Sequence, residues 1–352
     1  DPMCGFIGIL GPAGTDVFPQ LYNGLLAIQH RGQDAAGALT DDGSFHIHKA
    51  LGLVRDVFMS THLDSLRGRS GIAHVRYPTV GQGSATDSQP FSISYPFSIA
   101  MAHNGNVTNF SEIKEELSND SHWHINSSCD LEGILNVFGD GLAQQQITSL
   151  KPENVFDAIT EVFRRVKGAY SVVGLVAGEG MYAFRDPYGI KPCIVGERVD
   201  ERGRKSWCAA SESVLMDVLD FHSTFDLNAG EAIFVDMDGN LHRKQITHEA
   251  HSPCLFEWVY FARPDSFLDR VSVYKTRMRL GEKMAAIWRQ TGWKADVIIP
   301  VPESSTHSAM AMARTLRMKY REGLVKNRYI GRTFIMASNE SRKQSIRHKL
   351  NP

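Results

Sequence analysis

The stretch Met3-Cys4-Gly5-Phe6-Ile7-Gly8-Ile9-Leu10 (MCGFIGIL) decides the fold prediction, because it places a cysteine directly in front of a short continuous apolar run. A run of this length and composition is typical of a buried β-strand. Taken alone, Cys4 is better explained as a small buried hydrophobe than as a nucleophile, since free cysteine is among the most buried residue types. The rest of the chain has to decide between these two interpretations.

Composition limits the class of protein. The 352 residues are 42% hydrophobic and 22% charged, which predicts a soluble globular protein with room for two domains. A net charge of -1 provides no basic field, so nucleic acid is not an expected partner. The chain lacks an apolar stretch long enough for a membrane span, and its five cysteines are scattered and odd in number. We therefore expect a cytoplasmic protein without a zinc site.

The first 254 residues predict an α+β domain. Helical periodicity and strand-like runs occur without a regular βα alternation, and Gly178-Glu179-Gly180 and Asp238-Gly239 predict hairpin turns. Four segments predict helices: 19–29, 110–117, 130–142 and 155–166. Seven segments predict strands or strand pairs: 45–54, 71–76, 97–103, 170–184, 192–196, 206–210 and 231–242.

The pattern changes after residue 255, where an α/β domain is expected to begin. A helix is predicted over 274–291, a buried strand over 296–301 and a second helix over 306–320. The turn at 302–306 contains hydroxyl side chains that are expected to cap this second helix. Two strands are too few for an independent parallel sheet, so we expect this domain, 255–352, to be incomplete.

Four polar segments interrupt the first domain at predicted strand or helix ends, where catalytic groups are often held. They are Gln29-His30-Arg31-Gly32-Gln33-Asp34-Ala35-Ala36-Gly37, Ala73-His74-Val75-Arg76-Tyr77-Pro78-Thr79, Ala102-His103-Asn104-Gly105-Asn106 and Asn126-Ser127-Ser128-Cys129-Asp130. Each also has an ordinary structural explanation: Arg76 and Asp130 as an ion pair, Asn104-Gly105 as a turn, and Arg31-Gly32 as a helix end.

These segments, in this order, resemble the glutamine phosphoribosylpyrophosphate amidotransferase (amidophosphoribosyltransferase) family of class II glutamine amidotransferases. Two later segments, FEWVYFARPDS at 256–266 and KNRYIGRTFI at 326–335, resemble the phosphoribosyl branch specifically. The resemblance implies a four-layer αββα N-terminal-nucleophile domain at 4–254, followed by the first part of a phosphoribosyltransferase-like domain at 255–352. It also implies a cytoplasmic enzyme of de novo purine synthesis, assembled as a homo-oligomer and inhibited by purine nucleotides.

The resemblance assigns roles to residues of the first domain. Cys4 is the expected nucleophile and its own α-amino group the expected base, while Asn104 and Gly105 are expected to form the oxyanion hole. Arg76 is expected to bind the α-carboxylate of glutamine and Asp130 its α-ammonium. The remaining expected substrate-binding residues are Arg31, Tyr77 and Thr79.

A second reaction is implied for the later segments, in which ammonia displaces pyrophosphate from phosphoribosyl pyrophosphate. Ser304 and Ser305 form a candidate anion-binding turn, and the expected phosphate loop contains Lys326, Arg332 and Thr333. Magnesium is expected only for the full-length transferase site, because the acidic motif that holds it in the family is not found before Pro352. The histidine pairs His46/His48 and His122/His124, and the single Cys254, indicate no metal site.

Two alternatives and one question about the start of the chain stay open. The chain could be a stand-alone N-terminal-nucleophile amidase or amide-forming enzyme, or a catalytically silent relative. Cys129 and Leu131 depart from the family pattern around Asp130, which bears on glutamine affinity. Asp1-Pro2 is interpreted as a remnant of expression cloning ahead of Met3, so we expect Cys4 to become the first residue of the active form.

Overall fold

The computed structural model describes residues 4–77, 85–120, 123–327 and 350–351. The chain divides into two compact units, Asp1–Cys254 and Leu255–Pro352. No helix in these described ranges is long and apolar enough to cross a membrane.

The first unit alternates between strands and short helices. Its elements, in chain order, are β1 (Gly5–Leu10), α1 (Phe18–Ala27), β2 (Ala35–Asp41), β3 (Phe45–Leu51), α2 (Val54–Val57), α3 (Ser60–Ser65), β4 (Ser70–Arg76), β5 (Phe91–Ile93), β6 (Ile99–Val107), α4 (Phe110–Asp120), α5 (Asp130–Ala143), α6 (Pro152–Arg165), β7 (Gly168–Val176), β8 (Gly180–Arg185), β9 (Ile194–Val199), β10 (Lys205–Ala210), α7 (Val214–Val218), β11 (His222–Asp226), β12 (Glu231–Asp236) and β13 (Leu241–Gln245).

The strands form two antiparallel sheets. The first sheet has the order β11-β9-β10-β1-β4-β2-β3 and the second the order β13-β12-β8-β7-β6-β5. The segment Gly5–Leu10 is the central strand β1, fully buried and paired with β10 on one side and β4 on the other. The apolar run behind Cys4 therefore is the buried strand that the sequence predicts, and it holds Cys4 at the end of a rigid element.

Several elements differ from the sequence prediction. Strand β2 was not predicted, because all seven of its residues are buried and the small side chains show no alternation of polar and apolar positions. The predicted strand 97–103 instead runs as β6 to Val107, so Asn104-Gly105 lies inside a strand and is not a turn. Arg31 ends a 3₁₀ turn, Gln29–Arg31, and Gly32 after it is extended and donates its N–H to the Gln29 carbonyl oxygen at 3.3 Å, so it closes this turn without the left-handed conformation of a typical helix cap.

Two buried cores hold the first unit together. One lies between the sheets and includes Phe6 and Ile72 from the first sheet with Val173 and Ala183 from the second. The other joins the outer face of the second sheet to helices α4, α5 and α6. Helix α1 packs on β1, β2 and β4, on the first sheet. Helices thus pack outside both sheets, and the strand ends remain as the places where polar groups can meet.

The second unit is smaller and less regular. Its elements, in chain order, are a π-helical turn (Glu257–Phe261), β14 (Phe267–Leu268), β15 (Val271–Ser272), α8 (Val273–Thr291), β16 (Val297–Ile298), α9 (Thr306–Leu316), β17 (Lys319–Tyr320), β18 (Val325–Lys326) and β19 (Leu350–Asn351). Helix α8 matches the prediction: Ser272 Oγ accepts the Lys275 N–H at its start, and Gly292 in the left-handed region ends it.

Two predictions for the second unit were wrong in extent. The strand predicted over 296–301 is reduced to β16, which pairs in parallel with β17. The helix predicted over 306–320 ends at Leu316, because Arg317 takes a left-handed conformation (φ 56°) and the chain then turns into β17. Helices α8 and α9 pack closely at Gly281, where a Cβ atom would lie 2.1 Å from the carbonyl oxygen of Ser308.

Candidate active site

Cys4 lies at the entrance to β1 and is 5% exposed. Its backbone N–H donates to Asn104 Oδ1 at 3.3 Å, and its carbonyl oxygen accepts from Arg31 Nε at 2.9 Å. Two of the predicted site residues, from segments 27 and 100 positions away, thus hold the backbone of Cys4 in place. The first residue behind it, Gly5, starts the strand that fixes its direction.

A buried cluster of charged side chains holds Arg31 in this position. Arg31 Nη1 lies 2.6 Å from Glu212 Oε1, and His30 Nε2 lies 2.8 Å from the same oxygen. Burial alone would raise the pKa of Glu212, but the charges of His30 and Arg31 and their hydrogen bonds outweigh it and hold that pKa well below its usual range. Sequence reasoning missed Glu212; its only signal was an acidic residue two positions after the end of β10.

Close backbone approach brings the Arg31 turn to the end of β4. A Cβ atom at Gly32 would lie 2.6 Å from the carbonyl carbons of Val75 and Arg76, so only glycine fits. The Asp34 N–H donates to the Arg76 carbonyl oxygen at 3.2 Å. The segment QHRGQD is therefore tied to the strand that ends in Arg76.

Arg76 and Tyr77 stand beside the Cys4 thiol. The Tyr77 backbone N–H hydrogen-bonds to the thiol, and the charges of Arg76, Asp130 and Arg31 all act on it. Arg76 Nη2 lies 3.8 Å from Asp87 Oδ2, which also accepts from Ser128 Oγ at 2.8 Å. Asp87, not predicted from sequence, thus links the Arg76 and Asp130 segments. Thr79 lies outside the described residues.

Burial dominates the electrostatics of Cys4 and raises the pKa of its thiol to about 11, although the Tyr77 N–H, Arg76 and Arg31 each act to lower it. A thiol with that pKa is almost entirely protonated at neutral pH. It needs a base within hydrogen-bond reach before it can attack a carbonyl carbon.

Asn104 and Gly105 lie within β6, paired to Ser171 and Tyr170 of β7. Asn104 is fully buried; its Oδ1 accepts from Cys4, while its Nδ2 has no hydrogen-bond partner among the described residues. At Gly105 a Cβ atom would lie 2.3 Å from the Ala169 carbonyl oxygen, so the strand pairing itself requires glycine. A buried amide donor without a partner costs about 1 to 3 kcal/mol, and a bound acceptor would remove that cost.

Asp130 is the first residue of α5, as predicted. Its Oδ2 accepts the Val107 N–H at 2.7 Å, and its Oδ1 lies 3.4 Å from His103 Nε2. The hydrogen bond from the Val107 N–H favours the ionised form of this carboxylate. An ionised carboxylate at this place can bind an ammonium group.

Cys129, which departs from the family pattern, is buried at the residue before α5. Burial raises the pKa of its thiol to about 12. Its Sγ accepts from Gln89 Nε2 at 3.6 Å, so it acts as a weak acceptor and not as a thiolate.

The predicted anion-binding turn of the second unit does not cap helix α9. Ser305 Oγ donates to the Val301 carbonyl oxygen at 2.6 Å and accepts no N–H of α9, so the predicted capping was wrong. Lys326 Nζ lies 3.0 Å from Glu303 Oε2, and both line a cavity of about 300 Å³ that neither Ser304 nor Ser305 lines. Arg332 and Thr333 lie outside the described residues.

A larger cavity, about 830 Å³, lies at the opposite end of β1 from Cys4, and Leu10, Trp207 and Asn240 are among its lining residues. None of the predicted site residues lines it. In the described ranges, no group of three or more His, Cys, Asp or Glu side chains is arranged to hold a metal ion.

Comparison with known proteins defines the class first. A glutamine amidotransferase domain model matches residues 74–217, which include Arg76, Asn104, Gly105, Asp130 and Glu212. Amidophosphoribosyltransferase from Escherichia coli strain K12 is 46% identical over 99% of this chain and 70% of its own length. The enzyme of the same name from Saccharomyces cerevisiae is 44% identical with the same coverage.

A solved structure agrees with these relatives. The glutamine phosphoribosylpyrophosphate amidotransferase of B. subtilis, complexed with ADP and GMP, superposes with a TM-score of 0.82 at 32% identity, over 99% of this chain and 71% of that one. The chain therefore belongs to the amidophosphoribosyltransferase family, the glutamine amidotransferases of purine biosynthesis.

Proposed function

We propose that this chain hydrolyses the side-chain amide of glutamine at Cys4 and uses the ammonia to displace pyrophosphate from phosphoribosyl pyrophosphate, giving 5-phosphoribosylamine. The observation that carries the proposal for the site is the position of Asn104. Its Oδ1 holds the nitrogen of Cys4, and its buried Nδ2 has no partner within the described part of the chain. The nucleophile and an unused donor for a developing oxyanion are thus fixed by one side chain.

The first step is attack of Cys4 Sγ on the amide carbon of glutamine. A new S–C bond forms, and the thiol proton moves to the α-amino group of Cys4 itself, which has to be free for this purpose. An α-amine has a pKa of about 7.7 to 8.0, well matched to proton transfer near neutral pH. The high pKa of the buried thiol, about 11, is the reason a local base is required.

The tetrahedral oxyanion then accepts hydrogen bonds from Asn104 Nδ2 and the Gly105 backbone N–H. The C–N bond breaks, the α-ammonium of Cys4 returns its proton to the leaving nitrogen, and ammonia departs. A thioester remains on Cys4. Water attacks this thioester with the α-amine again as base, which releases glutamate and restores the thiol.

Glutamine is held by its α-groups. Arg76 is proposed to bind the α-carboxylate, since its guanidinium is only 11% exposed and its nearest carboxylate, on Asp87, is a loose 3.8 Å away. Asp130 is proposed to bind the α-ammonium. Arg31 is proposed to position Cys4 by donating to its carbonyl oxygen, and Tyr77 by donating its backbone N–H to the thiol. Thr79 is proposed as a further substrate-binding residue.

The two units are proposed to correspond to the two half-reactions. The arrangement of sheets and helices in the first unit supports a four-layer αββα N-terminal-nucleophile domain at 4–254. The parallel pair β16 and β17, with α9 following β16, supports the start of a phosphoribosyltransferase-like domain at 255–352. The cavity lined by Glu303 and Lys326 is proposed to contribute to that second site.

Magnesium is proposed only for the longer transferase site of the family. Two described carboxylates line the second cavity, Glu303 and Glu322, and Glu303 is already paired with Lys326, so the residues present do not fit a magnesium site. Purine nucleotides are proposed as regulatory ligands, on the strength of the B. subtilis relative bound to ADP and GMP. A homo-oligomer is proposed by family resemblance.

The test separates the two half-reactions. The Cys4→Ala variant is expected to lose glutamine-dependent formation of phosphoribosylamine and to keep ammonia-dependent formation, because only the glutaminase step uses the thiol. Cys254→Ser is the matched control, since Cys254 is half-buried and outside the site. Glutamine-dependent turnover by Cys4→Ala would contradict the proposal, as would the failure of the unsubstituted enzyme to release pyrophosphate with either nitrogen source.

A further inference from the structure

Gln89 contacts His103 with both ends of its side-chain amide. The backbone N–H of His103 donates to Gln89 Oε1 at 2.8 Å, and Gln89 Nε2 lies 2.9 Å from His103 Nδ1. The backbone N–H can only donate, so the amide oxygen has to face it and the amide nitrogen has to face the ring. The orientation of Gln89 is therefore forced by the backbone and does not depend on how the amide is drawn.

This orientation determines which ring nitrogen of His103 carries the proton. Gln89 Nε2 can only donate, so His103 Nδ1 has to accept and cannot carry a proton of its own. The proton of the neutral ring then lies on Nε2, which is 3.4 Å from Asp130 Oδ1 but makes no hydrogen bond within the described part of the chain. Protonating Nδ1 would set two donors 2.9 Å apart with no acceptor between them.

The protein holds Gln89 in this position from several sides. Lys49 Nζ donates to the Ser88 carbonyl oxygen at 2.6 Å and to the Pro90 carbonyl oxygen at 3.0 Å, on either side of Gln89. A Cβ atom at Gly37 would lie 2.1 Å from the Gln89 carbonyl oxygen, so β2 needs glycine where this segment crosses it. The remaining Gln89 hydrogen points to Cys129 Sγ at 3.6 Å.

The backbone of His103 is held by a second hydrogen bond. His74 Nε2 donates to the His103 carbonyl oxygen at 3.1 Å, and His74 is fully buried. Burial lowers the pKa of His74 well below its usual range. A neutral His74 adds no positive charge beside Asp130.

We propose that Gln89 is a positioning residue for glutamine binding: it locks His103 as the neutral Nε2–H tautomer, so that the ring adds no positive charge beside Asp130, which keeps its full negative charge for the substrate ammonium. This inference rests on the proposed binding of the glutamine α-ammonium at Asp130. An imidazolium at His103 would offset that charge. Gln89 thus contributes to the affinity for glutamine and not to the chemistry at Cys4.

The substitution Gln89→Glu tests this proposal with almost no change in shape. A carboxylate accepts from both the His103 N–H and a protonated Nδ1, so it stabilises the imidazolium that glutamine at position 89 prevents. We expect KM for glutamine to rise about fivefold to tenfold while kcat changes less than twofold, because Cys4 and Asn104 are untouched. Gln20→Glu is the matched control, since Gln20 accepts from Arg198 at 3.0 Å and its carboxylate keeps that bond.

A spectroscopic measurement distinguishes positioning from general structural support. In the unsubstituted full chain labelled with ¹⁵N-histidine, with His103 assigned by a His103→Asn variant, the ring is expected to show the neutral Nε2–H pattern at neutral pH. Gln89→Glu should change it to the imidazolium pattern. A neutral Nδ1–H ring in the unsubstituted chain would overturn the proposal even if Gln89→Glu failed to fold. The proposal would also be overturned if Gln89→Glu changed kcat and left KM for glutamine unchanged.

The Asp130→Asn variant separates this inference from the function on which it rests. If Asp130→Asn leaves KM for glutamine unchanged while His103 shows the expected tautomer, then the proposed ammonium site is wrong and the affinity role of Gln89 is wrong with it. If Asp130→Asn raises KM for glutamine, but Gln89→Glu neither raises KM nor converts the His103 ring to the imidazolium, then the ammonium site stands. In that case only the role of Gln89 is overturned.

Discussion

The two ends of β1 contrast in how their polar groups are paired. At the Cys4 end, the described structure leaves buried polar atoms without hydrogen-bond partners, among them Asn104 Nδ2. At the opposite end, around the cavity of about 830 Å³, Arg204 pairs with Asp200, Lys205 with Glu197, and Trp207 Nε1 with the Gly239 carbonyl oxygen.

This contrast points to unsatisfied buried polar groups, and not to charged walls, as the guide to a reactive site. Of the residues that line the larger cavity, Arg204 and Lys205 are already paired with Asp200 and Glu197 near the surface. The Cys4 end holds buried groups at a free-energy cost that a bound substrate would remove. Substitutions matched between the two ends test whether the difference is functional.

The largest effect is expected at Asn104. Asn104→Ala should lower kcat for glutamine hydrolysis about 10²-fold to 10³-fold, because it removes one donor to the oxyanion. The matched change Asn240→Ala, at the opposite end, removes only an exposed hydrogen bond to Asp236 and should change kcat less than about twofold. Steady-state glutaminase assays of both variants measure the difference. Similar kcat values for the two variants would show that the two ends of β1 do not differ in function.

The next effect is on stability. Glu212→Gln should lower the free energy of unfolding at pH 7 by about 3 kcal/mol, because it leaves buried Arg31 without its carboxylate. Glu197→Gln is the matched change at the opposite end, where the Lys205 pair is partly exposed, and should cost less than about 0.5 kcal/mol.

The pH dependence of the Glu212 effect follows from its lowered pKa. A carboxyl group with a folded pKa below its unfolded value of about 4.3 contributes its full stability above that pH and loses it as the pH falls further. The difference between the unsubstituted chain and Glu212→Gln in urea unfolding should therefore shrink below about pH 4. A difference that stayed unchanged far below pH 4 would contradict the assigned ion cluster.

A smaller effect is expected at Arg76. Arg76→Lys keeps the charge but loses the planar fork, so KM for glutamine should rise about tenfold with a smaller change in kcat. Arg204→Lys, whose guanidinium pairs with exposed Asp200, should leave KM within about twofold. Equal KM values for Arg76→Lys and the unsubstituted enzyme would show that Arg76 does not bind the carboxylate.

Four of the proposed site residues lie in segments that the sequence analysis singles out. Cys4, Arg76, Asn104 and Asp130 were predicted, and the structure brings them together because β1, β4, β6 and α5 present their polar ends at the same place. The buried strand after Cys4 was predicted because a continuous apolar run carries its own signal.

The supporting residues could not be predicted in the same way. Glu212 reaches Arg31 across 181 positions, because β10 pairs with β1, and no local pattern encodes that pairing. Gln89 contacts His103 through an amide that is unremarkable in sequence. Strand β2 has small side chains buried on both faces, so it lacks the alternation from which a strand is recognised.

One measurement tests the central claim, that Cys4 is the nucleophile and its own α-amine the base. An active preparation is quenched by acid during turnover of glutamine, digested, and analysed by peptide mass spectrometry. We predict a γ-glutamyl adduct on Cys4 in chains that begin at Cys4, and none on Cys129, Cys193, Cys208 or Cys254. An adduct on another cysteine, or full activity in chains that retain Asp1-Pro2-Met3, would contradict the account.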